Sequence, residues 1–427
     1  MLTLLAAFAL LVLLGAPLAF SIGIVGLIAL IQPEGPSLLR LVPMRLFSGI
    51  DMFSLMAMPF FILAGDIMNR IQITDRLVDL ANALVGQVRG ALAHVNIIVS
   101  VFFAGLTGAA VADTAAIGRM MIPAMADQGY NRPFAAAVTA ASSVIGPIIP
   151  PSIIMVIYGS LMQVSIAGLF AAGILPGILM SMALMSYVAW RGRKEDLPIA
   201  TLDREVPPVR VALKRAILPL MMPLIILGGI LGGVFTPTEA AAVAVVYALS
   251  VGVFVYRNFN LRDLWDVLYE MVRASGAVFI ILAAASILGW VLAKEGVPRD
   301  LGNFLGGISD SPLVFLLVVT AALLVIGMFM EMTAVLIILG PILHPLAVSI
   351  GVDPLHFGII MVVNLNIALI TPPLGACLFV ASSVGNVRFE NVAKAILPFM
   401  LVELTVLLLV VCFPAISLTL PRLLGLG

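Results

Sequence analysis

Apolar stretches follow one another along almost the whole chain, at 2–15, 17–31, 52–70, 92–125, 132–160 and 166–190, and again at 216–234, 237–256, 274–293, 312–349, 354–383 and 392–413. A buried soluble core cannot absorb so many of them, whereas a bilayer can. Composition agrees: 62% of the 427 residues are hydrophobic and 10% charged, against about 25% charged in an ordinary soluble domain. The fold class is an all-α polytopic membrane protein.

Lysine plus arginine and aspartate plus glutamate number 22 each. With no basic excess to neutralise a run of phosphates, nucleic acid is not an expected partner. The two cysteines, Cys377 and Cys412, both sit in apolar runs, where small buried hydrophobes are expected rather than a disulfide or a zinc site. The first basic residue is Arg40, so the apolar amino terminus lacks the basic region of a cleavable signal and reads as a permanent span.

The only long polar segment, 191–215, divides the chain into 1–190 and 216–427. Adding 222 to a residue number superposes the two parts without gaps: Gly105 meets Gly327, Gly118 meets Gly340, Pro123 meets Pro345, Gly129 meets Gly351, Pro150 and Pro151 meet Pro372 and Pro373, and Ser160 meets Ser382. Glycine and proline matches carry weight because they set backbone breaks, while apolar matches are cheap in a membrane protein. The stretches 92–125 and 312–349 exceed the roughly 20–25 residues of one tilted span and each has a glycine near its middle, so each reads as a re-entrant helical hairpin. Five crossings plus one hairpin per half make the second half run upside down, an inverted repeat. With the 191–215 linker in the cytoplasm, all but Arg40, Arg45, Lys294, Arg299 and Arg422 of the 22 lysines and arginines lie inside, which places both termini outside.

Proline pairs in mid-span must interrupt a helix, since each proline lacks an amide donor and clashes with the preceding turn. GPIIPPS at 146–152 and ITPPLG at 370–375 do this inside the broken helices 132–160 and 354–383. Carbonyls freed there cannot face lipid, so they line a polar cavity or meet a cation. The hairpin tips, AGLTGAAVAD at 104–113 and IGMFMEMT at 326–333, bring hydroxyls and glycine backbone to the opposite side. Hard oxygens of this kind suit a small alkali cation, and sodium is the expected coupling ion. Helix amino termini aimed at the midplane are suited to a carboxylate substrate, with Ser142, Ser143, Ser152, Asn364 and Asn366 as candidate hydrogen-bonding partners.

Asp113 and Glu331 lie close to the tips, and for both, direct ion ligation and a local structural role stay open. Glu239, in FTPTEAAA, reads as a helix cap. His94, His344 and His356 show no metal spacing and are expected to be hydrogen-bonded structural residues. GGILGG at 228–233 reads as close helix packing, or as a surface for a partner helix. The amphipathic segments 74–89 and 298–308 read as interfacial arms that connect fixed and mobile parts. No nucleotide loop, zinc helix or nucleophile elbow occurs, and nothing suggests an enzyme.

MPFFILAGDIM from Met58, GLTGAAVADTAAIG from Gly105, GPIIPPS from Gly146 and GVDPLHFGIIMVVNLNIALITPPLGACLFV from Gly351 resemble the large membrane subunit (DctM-like) of tripartite ATP-independent periplasmic (TRAP) transporters, over nearly the whole chain. The resemblance implies a multi-pass protein of a bacterial inner membrane that imports an organic anion, such as a C4-dicarboxylate, sialic acid or another sugar acid, by sodium symport and an elevator-type motion. It also implies two partners, a small four-helix membrane subunit supplied as a separate polypeptide and a periplasmic substrate-binding protein. Carried over residue by residue, its sodium sites fall on Gly105, Thr107, Gly146, Ile149 and Pro150, and on Gly327, Ala368, Thr371 and Leu374. Thr107 replaces a frequent serine and keeps the hydroxyl, and Ala368 replaces a frequent glycine, which is harmless where only the carbonyl binds. The competing reading is a stand-alone sodium/dicarboxylate symporter of the related divalent-anion class, which needs no binding protein.

Overall fold

The computed structural model describes residues 6–8, 10–11, 14–86, 88–195, 197–198, 207–297, 299–300 and 311–427. Half of the stretch 2–15, most of the arm 298–308 and the middle of the 191–215 linker lie outside the described residues. Among the described residues every regular element is helical. In chain order these are α1 (Leu18–Glu34), α2 (Val42–Ser48), α3 (Ala57–Arg70), α4 (Thr74–Val85), α5 (Ala91–Thr107), α6 (Ala110–Asp127), α7 (Arg132–Ser143), α8 (Ile153–Met162) and α9 (Ile166–Lys194). After the linker come α10 (Val209–Leu231), α11 (Pro237–Ser250), α12 (Leu261–Lys294), α13 (Pro312–Gly327), α14 (Met332–Ser349), α15 (Pro354–Ala368), α16 (Ala376–Gly385), α17 (Phe389–Cys412) and α18 (Ala415–Leu423).

The stretches 92–125 and 312–349 are each divided into two helices, α5 with α6 and α13 with α14, and 132–160 and 354–383 are likewise divided into α7 with α8 and α15 with α16. Local chemistry sets their limits. Proline in the first turn starts α7 and α15, where its missing amide costs nothing. The Asp353 carboxylate caps α15 by accepting from Leu355 N at 2.9 Å, and the Ser152 hydroxyl caps α8 by accepting from Met155 N at 3.3 Å. Thr236 and Glu239 form the reciprocal cap expected at the start of α11, each accepting from the other's backbone amide. The Pro150–Pro151 and Pro372–Pro373 peptides are both cis.

Six described helices are long and apolar enough to span a bilayer, and a seventh arises if 38–48 and 53–70, bent by 52°, count as one span. That is fewer than the ten crossings read from the apolar stretches. The reason is the breaks: several of the remaining apolar helices, α5, α8, α13, α15 and α16, are hairpin arms or half-helices of 10–17 residues.

Packing around the broken helices follows one pattern twice. The arm α5 lies on α7 and α6 on α7, and the elements 222 residues further on repeat this, α13 on α15 and α14 on α15. Contacts also cross between the halves: α16 rests on α6 just as α8 rests on α14, α17 rests on α7 just as α9 rests on α15, and α9 meets α17. From Phe134 to Ser143 and from Leu355 to Ala368 every residue is buried, so α7 and α15 form the centre. In contrast, α10 and α12 present large exposed apolar side chains such as Leu224, Trp265 and Val272. A chain reading of this kind places such surface against lipid or a partner helix rather than water.

The arm α4 packs on α5 and α10 and buries Leu77, Val78 and Leu80. Cys377 is buried as expected, but Cys412, the last residue of α17, is exposed. All three histidines are engaged locally: His94 Nδ1 with Gly90 O at 2.9 Å, His344 Nδ1 with the Tyr158 hydroxyl at 2.7 Å, and His356 Nδ1 with Ser417 Oγ at 2.7 Å. The short helix α18, which hydropathy did not foresee, seats that last contact and packs on α9 and α15. The Tyr158–His344 pair joins α8 to α14 across the two halves, with the Tyr158 ring fully buried. Tyr158→Phe should therefore lower stability by about 1 kcal/mol, read as a reduced melting temperature in detergent, and an unchanged melting temperature would show that the pair adds nothing.

Candidate functional site

The first hairpin tip closes directly on the first break. Gly108 ends α5 with φ +60°, and a Cβ placed on it would lie 2.6 Å from Pro151 O. Only glycine combines that left-handed backbone with so close an approach. Gly105, one turn earlier, faces Pro223 of α10 at 2.7 Å from an added Cβ, with Pro150 O at 3.9 Å. The Thr107 hydroxyl donates to Asp113 Oδ1, while Asp113 Oδ2 faces the Cα of Gly146. Tip, break and carboxylate thus meet in one place.

Asp113 is completely buried, and its Oδ2 has no hydrogen-bond donor. Among the described residues the carbonyls of Gly146, Ile149 and Pro150 accept no backbone amide. A buried carboxylate oxygen and several open carbonyls beside a hydroxyl form an acceptor-rich cluster in which the Thr107 hydroxyl is the one donor to Asp113, which fits a small hard cation. Of the residues named from the sequence, Gly105 lies near Pro150 and Thr107 and Gly146 meet at Asp113, while the Ile149 side chain lies against Gly177 of α9. The sequence left Asp113 open between two roles, and the structure gives it both a local hydrogen bond and a free oxygen.

The second set is looser. A Cβ added to Gly327, the last residue of α13, would lie 2.6 Å from Ala368 Cβ, so the second tip also closes on the second break. The carbonyl of Ala368 already accepts from Thr371 N at 3.1 Å, and the Thr371 hydroxyl donates to Ile367 O at 2.8 Å. Leu374 is 44% exposed and stands away from the enclosed part. Glu331 caps α14, accepting from Ala334 N at 3.0 Å and from the Thr333 hydroxyl at 2.8 Å, so both of its oxygens are in use. The position equivalent to Asp113 is Val335. The first site has a buried carboxylate of its own and the second has none.

The candidate substrate residues are divided. Ser142 belongs to a buried polar cluster between α5 and α7: Ser100 donates to Ser142 Oγ at 2.8 Å, Ser142 donates to Asn96 Oδ1 at 3.2 Å, and Asn96 Nδ2 donates to Thr139 Oγ1 at 2.7 Å. Ser143 donates to Thr139 O at 2.7 Å, and Ser152 caps α8. Asn364 donates to Thr320 O at 2.9 Å and Asn366 to Val362 O at 2.8 Å, and the Oδ1 atoms of both are buried without a donor. The two asparagines, rather than the serines, retain unmet hydrogen-bonding capacity. Asn96, Ser100 and Thr139 went unnoticed in the sequence, although Asn96 and Ser100 stand one turn apart on an otherwise apolar arm. Among the described residues no group of three histidines, cysteines or acids is placed to hold a metal.

Paired hairpins closing on paired broken helices define a membrane-transporter fold. Two solved transporters share it: the YdaH transporter of Alcanivorax borkumensis (TM-score 0.62, 16% identity, covering 88% of this chain and 89% of that one) and Neisseria gonorrhoeae MtrF, described within a class of antimetabolite efflux pumps (TM-score 0.61, 12% identity, covering 90% and 85%). At such identities they speak for the fold alone. The family model for the DctM component of tripartite ATP-independent periplasmic transporters matches residues 5–416, and the chain belongs to that family. It is a transport component and not an enzyme.

Among curated relatives, the sialic acid TRAP transporter large permease protein SiaM of Vibrio cholerae is 41% identical, with 97% of this chain and 96% of that protein covered. The C4-dicarboxylate TRAP transporter large permease protein DctM of Pseudomonas aeruginosa is 39% identical, with 95% of each covered. The isethionate TRAP transporter permease protein DctMQ of Oleidesulfovibrio alaskensis is 41% identical over 96% of this chain, which spans 64% of that protein's length.

Two glycines separate backbone cost from close approach. Gly233 has φ +70° with nothing within 4 Å of an added Cβ, whereas Gly108 has Pro151 O at 2.6 Å. Gly233→Ala should cost about 1 kcal/mol and leave the first site intact. Gly108→Ala should cost about 3 kcal/mol or more, because the tip must also part from the break. Melting temperatures of the two variants check this, and equal losses would show that the tip is not closely seated.

Proposed function

We propose that this chain is the large permease subunit of a sodium-coupled importer of an organic anion in a bacterial inner membrane. The observation that carries the reading is the meeting of Thr107, Asp113 and Gly146 beneath a glycine tip, where acceptors gather and Asp113 Oδ2 has no donor. Family membership supports the tripartite arrangement, with a small four-helix membrane subunit and a periplasmic binding protein as partners. Relatives named for sialic acid and for C4-dicarboxylates support an organic acid as cargo. The choice among such acids belongs to the binding protein.

The two halves are read as an inverted repeat of five spans and one hairpin, divided by the 191–215 linker. The 222-residue offset of the elements and the exchange of contacts between the halves support this. Both termini then face the periplasm, as the placement of lysine and arginine favours. The buried unit of α5–α8 and α13–α16 is the mobile part of an elevator, and the apolar helices α10 and α12 belong to the fixed scaffold with the small subunit. Contact between Pro223 of α10 and Gly105 marks where the two would slide.

Sodium, when bound, would supply positive charge between tip and break. In the first site Gly105, Thr107, Gly146, Ile149 and Pro150 would hold it, with Asp113 balancing its charge. In the second, Gly327, Ala368, Thr371 and Leu374 would hold it, with Leu374 brought in from its exposed position. The amino end of α8, capped by the neutral Ser152 hydroxyl, favours a carboxylate nearby, and the free Oδ1 atoms of Asn364 and Asn366 would accept from substrate hydroxyls or order the second break.

Reconstitution into liposomes tests the whole reading. Uptake should need an inward sodium gradient and both partners, and should fall to background when sodium is replaced by potassium. Uptake at full rate without the binding protein would overturn the tripartite arrangement in favour of a self-sufficient symporter.

The two sites are tested separately. Asp113→Asn should raise the sodium concentration for half-maximal uptake by tenfold or more, since a charge-assisted contact is worth about 1.5–3 kcal/mol. Thr371→Ala should raise it by less, because it removes a neutral hydroxyl oxygen rather than a charge. Unaltered sodium activation in Asp113→Asn would remove the carboxylate from the site.

A further inference from the structure

A pocket of about 430 Å³ opens between α4, the start of α10 and the end of α11's extension at Tyr256, and is lined by Arg76, Asp79, Lys214, Arg215, Leu218 and Tyr256. Arg76 lies flat over the Tyr256 ring, 3.3 Å from its centroid. That contact leaves polar atoms unmet, since Arg76 Nη1 and the Tyr256 hydroxyl are both buried with no hydrogen-bond partner. Lys214 and Arg215 are exposed at the rim. Burial first, and then the neighbouring Arg215 charge, push the Arg76 guanidinium below the usual arginine range, with Asp75 pulling the other way. Among the described residues, three cations thus converge on the pocket with Asp75 and Asp79 as the acids beside them, and two buried polar atoms lie behind its wall without partners. An oxyanion with several acceptor oxygens would answer all of these needs at once.

The surroundings say what carries the oxyanion. Lys214 and Arg215 stand in the first two turns of an apolar 23-residue helix, at the level where a span leaves the hydrocarbon. From the same turns, Leu213, Ile217 and Met221 continue as an exposed apolar stripe towards the membrane interior. A basic pocket at a helix end above an apolar stripe has the form of a headgroup site with room for acyl chains below it. The cavity far exceeds the roughly 30 Å³ that one water occupies.

We propose that this pocket binds the phosphate headgroup of an anionic phospholipid, with Arg76, Lys214 and Arg215 on the phosphate oxygens, the Tyr256 hydroxyl donating to one of them, and the acyl chains along Leu213, Ile217 and Met221. Because α4 also packs on the hairpin arm α5, the lipid would tie α4 to α10 beside the tip-bearing unit. This site stands apart from the sodium sites and does not depend on the transport reading.

The test uses the full chain purified in detergent and reads lipid retention by native mass spectrometry, together with the melting temperature, so that uptake is not involved. Added phosphatidylglycerol should be retained and should raise the melting temperature, whereas phosphatidylcholine should do neither. Lys214→Gln/Arg215→Gln removes two exposed cations, each worth roughly a fivefold change in binding at a membrane surface, and should lower phosphatidylglycerol retention more than tenfold while the protein still melts cooperatively. Tyr256→Phe should lower it severalfold. Arg193→Gln/Lys194→Gln, at an exposed basic group on α9, should leave it unchanged. Equal loss in that second pair, or undiminished retention in the first, would overturn the site. Displacement of phosphatidylglycerol by millimolar inorganic phosphate would overturn the lipid assignment in favour of a soluble anion.

Discussion

A peptide carbonyl inside hydrocarbon has no water to bond, so a chain that crosses a membrane must either keep its helices whole or enclose every place where they break. This protein breaks two helices near their middles, after Ser143 and after Ala368, and builds its densest packing around the breaks. The residues of α7 and α15 are buried on all sides by hairpin arms and by the long helices α9 and α17. Hairpins, buried half-helices and a lipid-facing outer set are all consequences of the need to cover freed backbone.

The enclosure is unequal. At the first break the tip lies against Pro151, the carbonyls of Gly146, Ile149 and Pro150 stay open, and Asp113 contributes a carboxylate oxygen. At the second, Ala368 O and the Thr371 hydroxyl are occupied within the chain and Leu374 is exposed. Two sites derived from one pattern therefore differ in charge. A cation in the first would be neutralised locally, while one in the second would rest on dipoles alone. In a low dielectric that difference is large.

Much of this was legible beforehand because it depends on residues whose backbone effects are unconditional. Proline pairs at 150–151 and 372–373 must end a helix, and glycines at 105 and 327 mark tips, whatever surrounds them. Hence the helices divide near the places the sequence marks, between Thr107 and Ala110, after Ser143, between Gly327 and Met332 and after Ala368. Side chains whose role depends on a neighbour were harder to read. Ser142 and Ser143 looked available to a substrate, yet their hydroxyls serve Asn96 and Thr139 inside the α5–α7 contact. The basic pocket around Arg76 joins α4 to helices more than a hundred residues later and has no sequence motif.

The sequence alone determined that the chain lives in a bilayer, that its helices are interrupted at the proline pairs, and which family it belongs to, because hydropathy, proline and glycine act locally. Only the tertiary structure decided which polar atoms are left without partners: Asp113 Oδ2, the Oδ1 atoms of Asn364 and Asn366, Arg76 Nη1 and the Tyr256 hydroxyl. Whether a polar atom is satisfied is a matter of distances between segments far apart in the chain, and those distances exist only once the helices have packed.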